Sequence, residues 1–211
     1  MAVHELSFSP DLSKEAIDEY LTIAEYCLMA RKVDRGAYGF PATLLLLCVV
    51  NALGVCLKDE IVRIDDKDEK ITRGEPFYVL NHTSLGLEKK LSGKQIKYVE
   101  KALRNRLAHN GMLAPGCYLN AEADSEAVVF EGPIVEVRLK PLLRAVKRAW
   151  NSVAPNIEAW LSNPDRQREF ALQAWPFLRD EASNNVVLPT PTKIVASTGS
   201  PFDPKKFIKE L

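Results

Sequence analysis

The chain is poor in histidine, with three in 211 residues, and its four cysteines, Cys27, Cys48, Cys56 and Cys117, contain no C-x-x-C pair. Neither residue recurs at ligand spacing and the acidic residues are scattered, so no metal site is expected. Cys27, Cys48 and Cys56 sit among apolar residues and read as small buried hydrophobes of a reducing compartment. The ten glycines are dispersed and no G-x-x-x-x-G-K run occurs, which argues against a P-loop nucleotide hydrolase and leaves no cofactor implied. Net charge is also absent, because 28 basic residues balance 28 acidic ones. A nucleic-acid binder relying on overall charge would be basic, so any such contact must be a local patch. The N-terminus, M-A-V-H-E-L-S-F-S-P, lacks a charged start followed by an apolar run. No secretion signal is read there, and a cytoplasmic location is expected.

What is present is an ordinary globular composition, 46% hydrophobic and 27% charged, in a chain long enough to bury a substantial core. Residues 11–33 place Ile17, Leu21, Ala24 and Leu28 on one helical face. A second helix opens at Pro41 with the run P-A-T-L-L-L-L-C-V-V-N-A-L-G-V-C-L. That run is at the short limit for a membrane span and is interrupted by Asn51 and Gly54, so it is read as a core helix with no membrane partner. Residues 58–74 read as a charged, solvated loop with room for a short strand at 61–64, and 75–91 as short helical turns. The run A-V-V-F-E-G-P-I-V-E-V-R-L predicts a hairpin turning at Glu131-Gly132-Pro133. It leads into a helix with Leu142, Val146, Ala149 and Val153 at helical spacing. A further amphipathic segment at 165–175 precedes a proline-bearing end. The expected architecture is therefore a mainly α bundle with a small β-hairpin over 1–176 and an extended C-terminal tail over 177–211.

One stretch has signals at both ends: S-G-K-Q-I-K-Y-V-E-K-A-L-R-N-R-L-A-H-N-G, from Ser92 to Gly111. Ser92 with Gln95 forms a capping-box pattern, and Asn110-Gly111 suits the left-handed residue that stops a helix. On an ideal helix Ile96, Val99, Leu103 and Leu107 make the apolar stripe, and Lys94, Lys97, Lys101 and Arg104 a basic one. Asn105 and His109, four apart, share the next face. Cleaving RNA without a metal needs a base for the 2′-hydroxyl proton and a cation for the phosphate. His109 suits the base, and Arg104 offers a permanent charge on a planar fork of donors. Asn105 is placed to orient the imidazole or the ribose. Arg104 and His109 stand about 140° apart on an ideal helix, so one helix does not aim both at one point. A two-fold homodimer would bring Arg104 of one copy to His109 of the other. Lys94, Lys97 and Lys101 are the candidate RNA contacts. Arg106 is read as a structural ion-pair partner, His82 as a structural loop histidine, and the tryptophans as core residues.

The motif A-L-R-N-R-L-A-H-N-G resembles the Arg-x4-to-6-His signature of the HEPN superfamily, in which Asn commonly follows the Arg and the motif closes a helix. The resemblance implies a HEPN-like helical domain and a metal-independent endoribonuclease of a bacterial defence or toxin system. It also implies a composite site at a homodimer interface and 2′,3′-cyclic phosphate ends. The alternative is a non-catalytic HEPN-like module that binds RNA or protein, or dimerises, through the same surface. An antitoxin or other regulatory protein is a further expected partner. The subgroup paired with a nucleotidyltransferase antitoxin often has Tyr two residues after the motif histidine, where this chain has Gly111.

Overall fold

The long apolar run forms helix α2 (Gly39–Cys56), with Pro41 in its first turn and Ala42, Leu46, Leu47, Val49, Val50 and Leu53 buried. The structure is a computed structural model that describes residues 10–33 and 36–157, of which Ser13–Ile157 make one compact unit. The expected tail, the segment at 165–175, Trp160 and Trp175 lie outside the described residues. By length and composition α2 could cross a membrane, and 44% of it is buried inside the protein. Its interior glycine has a steric reason. A Cβ on Gly54 would sit 2.0 Å from the carbonyl oxygen of Pro76, where a 3-10 turn (Pro76–Asn81) passes against the helix.

Two further helices complete the core. Helix α1 (Pro10–Met29) buries Leu21, Ala24 and Leu28, and Ile17 is half-buried. The later helix, Leu139–Val153, buries Leu142, Val146, Ala149, Val153 and also Trp150. It is fastened to α1 by Trp150 Nε1, which donates to Asp18 Oδ1 at 2.6 Å, and by Lys147 Nζ, 2.7 Å from Glu25 Oε2. Its Arg148 donates to the carbonyl oxygens of Leu85 and Gly86.

The mainly α bundle with one hairpin is corrected by the strands. The described residues hold five helices and five strands in two small sheets, a mixed α/β arrangement. Within residues 58–74, read as a solvated loop with room for a short strand at 61–64, that strand is β1 (Ile61–Ile64), and it pairs antiparallel with β2 (Lys67–Lys70), where only loop is expected. The turn between them is Asp65-Asp66, both with positive φ of 48° and 63°, the backbone sense that a tight hairpin requires and that Asp tolerates. Strand β2 is Lys-Asp-Glu-Lys and wholly exposed, so it carries no apolar signal and exists by pairing alone.

The hairpin at Gly132-Pro133 is present as β4 (Val128–Glu131) and β5 (Ile134–Arg138). A further strand, β3 (Cys117–Asn120), joins it in parallel, and the order is β3-β5-β4. Val135 and Val137 of β5 face the core, and helix α5 is the Leu139–Val153 helix that comes next in the chain. The remaining helices, α3 (Gly93–Tyr98) and α4 (Arg106–Asn110), are the ends of the motif helix.

A single buried amide joins these parts. Asn81, 3% exposed, donates from Nδ2 to the carbonyls of Arg63 at 2.9 Å and Leu91 at 2.7 Å. Its Oδ1 accepts from the Leu91 N–H at 2.8 Å, and its backbone oxygen accepts from Lys90 Nζ at 2.6 Å. Asn81 thus ties the 3-10 turn both to β1 and to the residue before the Ser92 cap.

Asn81→Ala leaves three backbone groups without their side-chain partner, the two of Leu91 buried and that of Arg63 part-buried, and we expect about 2–4 kcal/mol lost stability, measured by urea unfolding. Gly54→Ala has the sign of its effect reversed by the Pro76 contact. In an open helix this change gains about 1 kcal/mol, whereas here we expect a loss of about 3 kcal/mol or more from forced overlap, read by the same titration.

Candidate functional site

The motif helix begins and ends where its residues signal. Ser92 Oγ accepts the Gln95 N–H at 3.3 Å, and Gln95 Oε1 accepts the Ser92 N–H at 2.8 Å, closing the capping box. At the other end Gly111 has φ 63° and donates to the Leu107 carbonyl at 3.1 Å. Between α3 and α4 the backbone is not α-helical: Val99–Asn105 form a π-helical segment. There the hydrogen bonds reach back five residues rather than four, which widens the turn. The face angles of an ideal helix therefore hold at the ends of this element and not through its middle.

The apolar stripe tolerates the change, and Ile96, Val99, Leu103 and Leu107 are all buried. The basic stripe does not run straight. Lys94, Lys97 and Lys101 are exposed, but Arg104, expected to extend them, is half-buried. Its charge acts on the thiol of Cys48 in α2, which burial pushes up and Arg104 partly draws back. Cys27, Cys48 and Cys56 are half-buried and Cys117 is buried, all as free thiols.

Arg104 and its neighbour are held together. Nη1 of Arg104 donates to Asn105 Oδ1 at 2.9 Å. Its Nε is buried with no hydrogen-bond partner, the one such side-chain atom among the described residues. No carboxylate among them forms an ion pair with this guanidinium, although its charge acts on the nearby Glu100. His109 stands apart. It is exposed and makes no hydrogen bond to a described residue, and Asn105 faces Arg104 instead of orienting the imidazole. One chain brings Arg104 and Asn105 together and leaves His109 outside the pair.

The other expected residues divide between paired and free. Arg106 is exposed and forms no ion pair with a described residue, contrary to the structural role expected for it. Lys97 Nζ lies 3.2 Å from Glu75 Oε1, so one of the three candidate RNA contacts is already paired. His82 Nδ1 accepts the Ser84 N–H at 3.2 Å and lies 2.9 Å from Ser84 Oγ, a local turn contact in keeping with a structural role. Burial lowers the His82 pKa, Glu60 opposes this, and Lys90 adds to it.

Sequence reasoning passed over Glu100, one turn before Arg104 on the π segment and half-buried. Burial, then the nearby Glu75, push its carboxyl above the usual range against the pull of Lys101, Arg104 and Lys97. Its position four residues before the motif arginine was the available signal.

Two cavities flank other parts of the fold. One of about 630 Å³ lies on the outer face of the three-stranded sheet, beside Tyr118, Ile134 and Glu136, and includes none of the motif residues. A smaller one of about 290 Å³ lies between the β1–β2 hairpin and the start of the motif helix, and includes Lys94 and Lys97. Among the described residues no three His, Cys, Asp or Glu side chains converge as a metal-holding group. Comparison with family models, curated proteins and solved structures found no match, so the reading of the site stands on its own geometry.

An arginine kept for stability would have its donors satisfied. Arg104→Met removes a buried unpaired donor while keeping the stem, so we expect stability within about 1 kcal/mol of the parent, or higher, by urea unfolding. A larger loss would make Arg104 a structural residue.

Proposed function

We propose that this protein is a metal-independent endoribonuclease in which Arg104 binds the scissile phosphate and His109 takes the 2′-hydroxyl proton. The observation that carries this reading is the charge of Arg104, hydrogen-bonded to Asn105 and in no ion pair with a described residue, on the same short helix end as an exposed histidine that makes no hydrogen bond to a described residue. A guanidinium fork matches phosphate oxygens and stabilises charge as the 2′ oxygen attacks. The resemblance of R-N-R-L-A-H-N-G to the HEPN signature supports the same chemistry.

Arg104 is half-buried and His109 exposed, and in the proposed site a second copy completes the pair, with Arg104 of one protomer meeting His109 of the other. Lys94 and Lys101, exposed along the same helix and unpaired with any described residue, carry the flanking RNA backbone. Defence against foreign RNA, with an antitoxin or regulatory protein holding the enzyme in check, is the setting proposed for such an activity. The cytoplasm is its proposed location.

A second reading, a non-catalytic module that binds RNA or protein, is favoured by one observation. Nothing within the described chain sets the tautomer of His109.

Purified protein incubated with structured RNA and chelator should produce 2′,3′-cyclic phosphate ends. Arg104→Ala and His109→Ala should each lose about 10²-fold or more of the rate. Mixing the two inactive variants should restore cleavage, because one of the two sites in a mixed dimer then contains both native residues. Cleavage that survives in either single variant would refute this site, and RNA binding without cleavage by the parent protein would establish the second reading.

A further inference from the structure

The cavity of about 290 Å³ beside the start of the motif helix has walls from three elements, and one residue ties all three together. Lys67 and Glu69, two apart on β2, share one face of that strand and line the cavity. Tyr78 comes from the 3-10 turn, and Lys94 and Lys97, three apart, from the first turns of the motif helix. Asn81 bonds the turn to β1 and to Leu91, so the walls are held at a set spacing. Strand β2 has no part in the core, because all four of its residues are exposed. Core packing therefore gives no reason for Lys67 and Glu69, and the cavity is what they face.

The lining combines three kinds of group. Tyr78 is half-buried, and its hydroxyl makes no hydrogen bond to a described residue. Burial, then Glu75, push the phenol pKa up; Lys97 opposes this, and Glu69 and Asp65 add to it, so the hydroxyl stays a neutral donor. Lys67 and Lys94 are exposed cations in no ion pair with a described residue, whereas Lys97 is held by Glu75. Glu69 is an exposed carboxylate, likewise in no ion pair with a described residue. A wholly anionic ligand would be repelled by Asp65 and Glu69, and a wholly cationic one by the lysines. A nucleotide suits the mixture. Its base has a π face that stacks on an aromatic ring, the amino group of a base such as cytosine donates to a carboxylate, and its phosphate draws lysine. The volume is at the lower edge of ligand pockets, which gives room for a single base.

We propose that this cavity binds one unpaired nucleotide of the substrate RNA, with the base against Tyr78, its amino group at Glu69 and the adjoining phosphate at Lys67 and Lys94, resting on the endoribonuclease reading above. Lys94 and Arg104 belong to one continuous helical element, on the order of 15 Å apart at the α-helical rise. The strand leaving the cavity runs past the exposed Lys101 toward Arg104, and the cut falls at a fixed distance from the bound nucleotide. The substrate class is RNA that is single-stranded beside the cut, since only an unstacked base can offer its face to a side chain. Glu69 makes an amino-bearing base, cytosine before uracil, the preferred occupant.

The test measures binding by fluorescence anisotropy, using labelled oligocytidine and oligouridine with fluorine in place of every 2′-hydroxyl. These strands lack the nucleophile and are not cut. We expect oligocytidine to bind about 10-fold more tightly than oligouridine, and Glu69→Ala to remove the difference. Tyr78→Leu should weaken both by about 10-fold or more. Lys67→Ala should weaken both as well, whereas Lys70→Ala, which removes the same charge from the other face of β2, should not. Equal losses from the two lysine variants would reduce the contact to general charge and overturn the proposal, as would wild-type protein that binds neither strand. Cytidine monophosphate that binds as tightly as the oligonucleotide would make the cavity a site for a free nucleotide, which also overturns it. Parallel assays on ordinary RNA separate the two readings. Cleavage with kcat/KM unmoved by Lys67→Ala would refute the cavity and leave the endoribonuclease, and the expected binding pattern without any cleavage would establish the cavity and refute the endoribonuclease.

Discussion

The side-chain amide of Asn81 is the constraint on which the arrangement of the other parts depends. It is buried, so each of its polar atoms must be answered from within the protein, and each is. Because its partners belong to β1 and to Leu91, the register of the hairpin and the starting point of the motif helix are set by one residue. Apolar contacts alone would allow either element to slide. The amide permits only the alignment in which all three side-chain bonds form together, and Gly54, by admitting the Pro76 backbone, lets α2 press against the same turn.

Stability and chemistry are divided along the motif helix. Its N-terminal half is capped, and Ile96 and Val99 fill the core. Its middle departs from α-helical bonding, and that departure coincides with Glu100 and Arg104, the two half-buried charged residues of the segment. A buried donor with no acceptor is unfavourable by about 1–3 kcal/mol, and local irregularity of this kind is frequent where a helix serves function. The surrounding core, from Leu103 to Trp150, is well enough buried to offset it.

Much of this is legible in the residues. The capping box, the Gly111 stop, the buried stripe of the motif helix, the core face of α5 and the β4–β5 hairpin all come from local rules, and each is found where those rules place it. The strands that local rules miss have identifiable reasons. Lys67–Lys70 contains no residue that favours a strand and is paired only through its backbone. Cys117–Asn120 is four residues long and finds its partner in β5, beyond the intervening β4. The mainly α reading fails on these two elements. Arg104 departs from its expected face for a different reason, because the face angles assume a straight α-helix and Arg104 lies within the wider-turned π segment. Asn81 carries no local signature at all, since its value comes from partners distant in sequence.

Strand β5 ends at Arg138 and α5 begins at Leu139, with no connecting residue between them. Most strand-to-helix junctions include a loop that can bend, and such loops are where hinge motion is absorbed. Here the two elements are mechanically continuous, like a rod with a flattened end. A load on α5, which is bolted to α1 through Trp150 and Lys147, therefore reaches the middle strand of the sheet without a joint in which to dissipate.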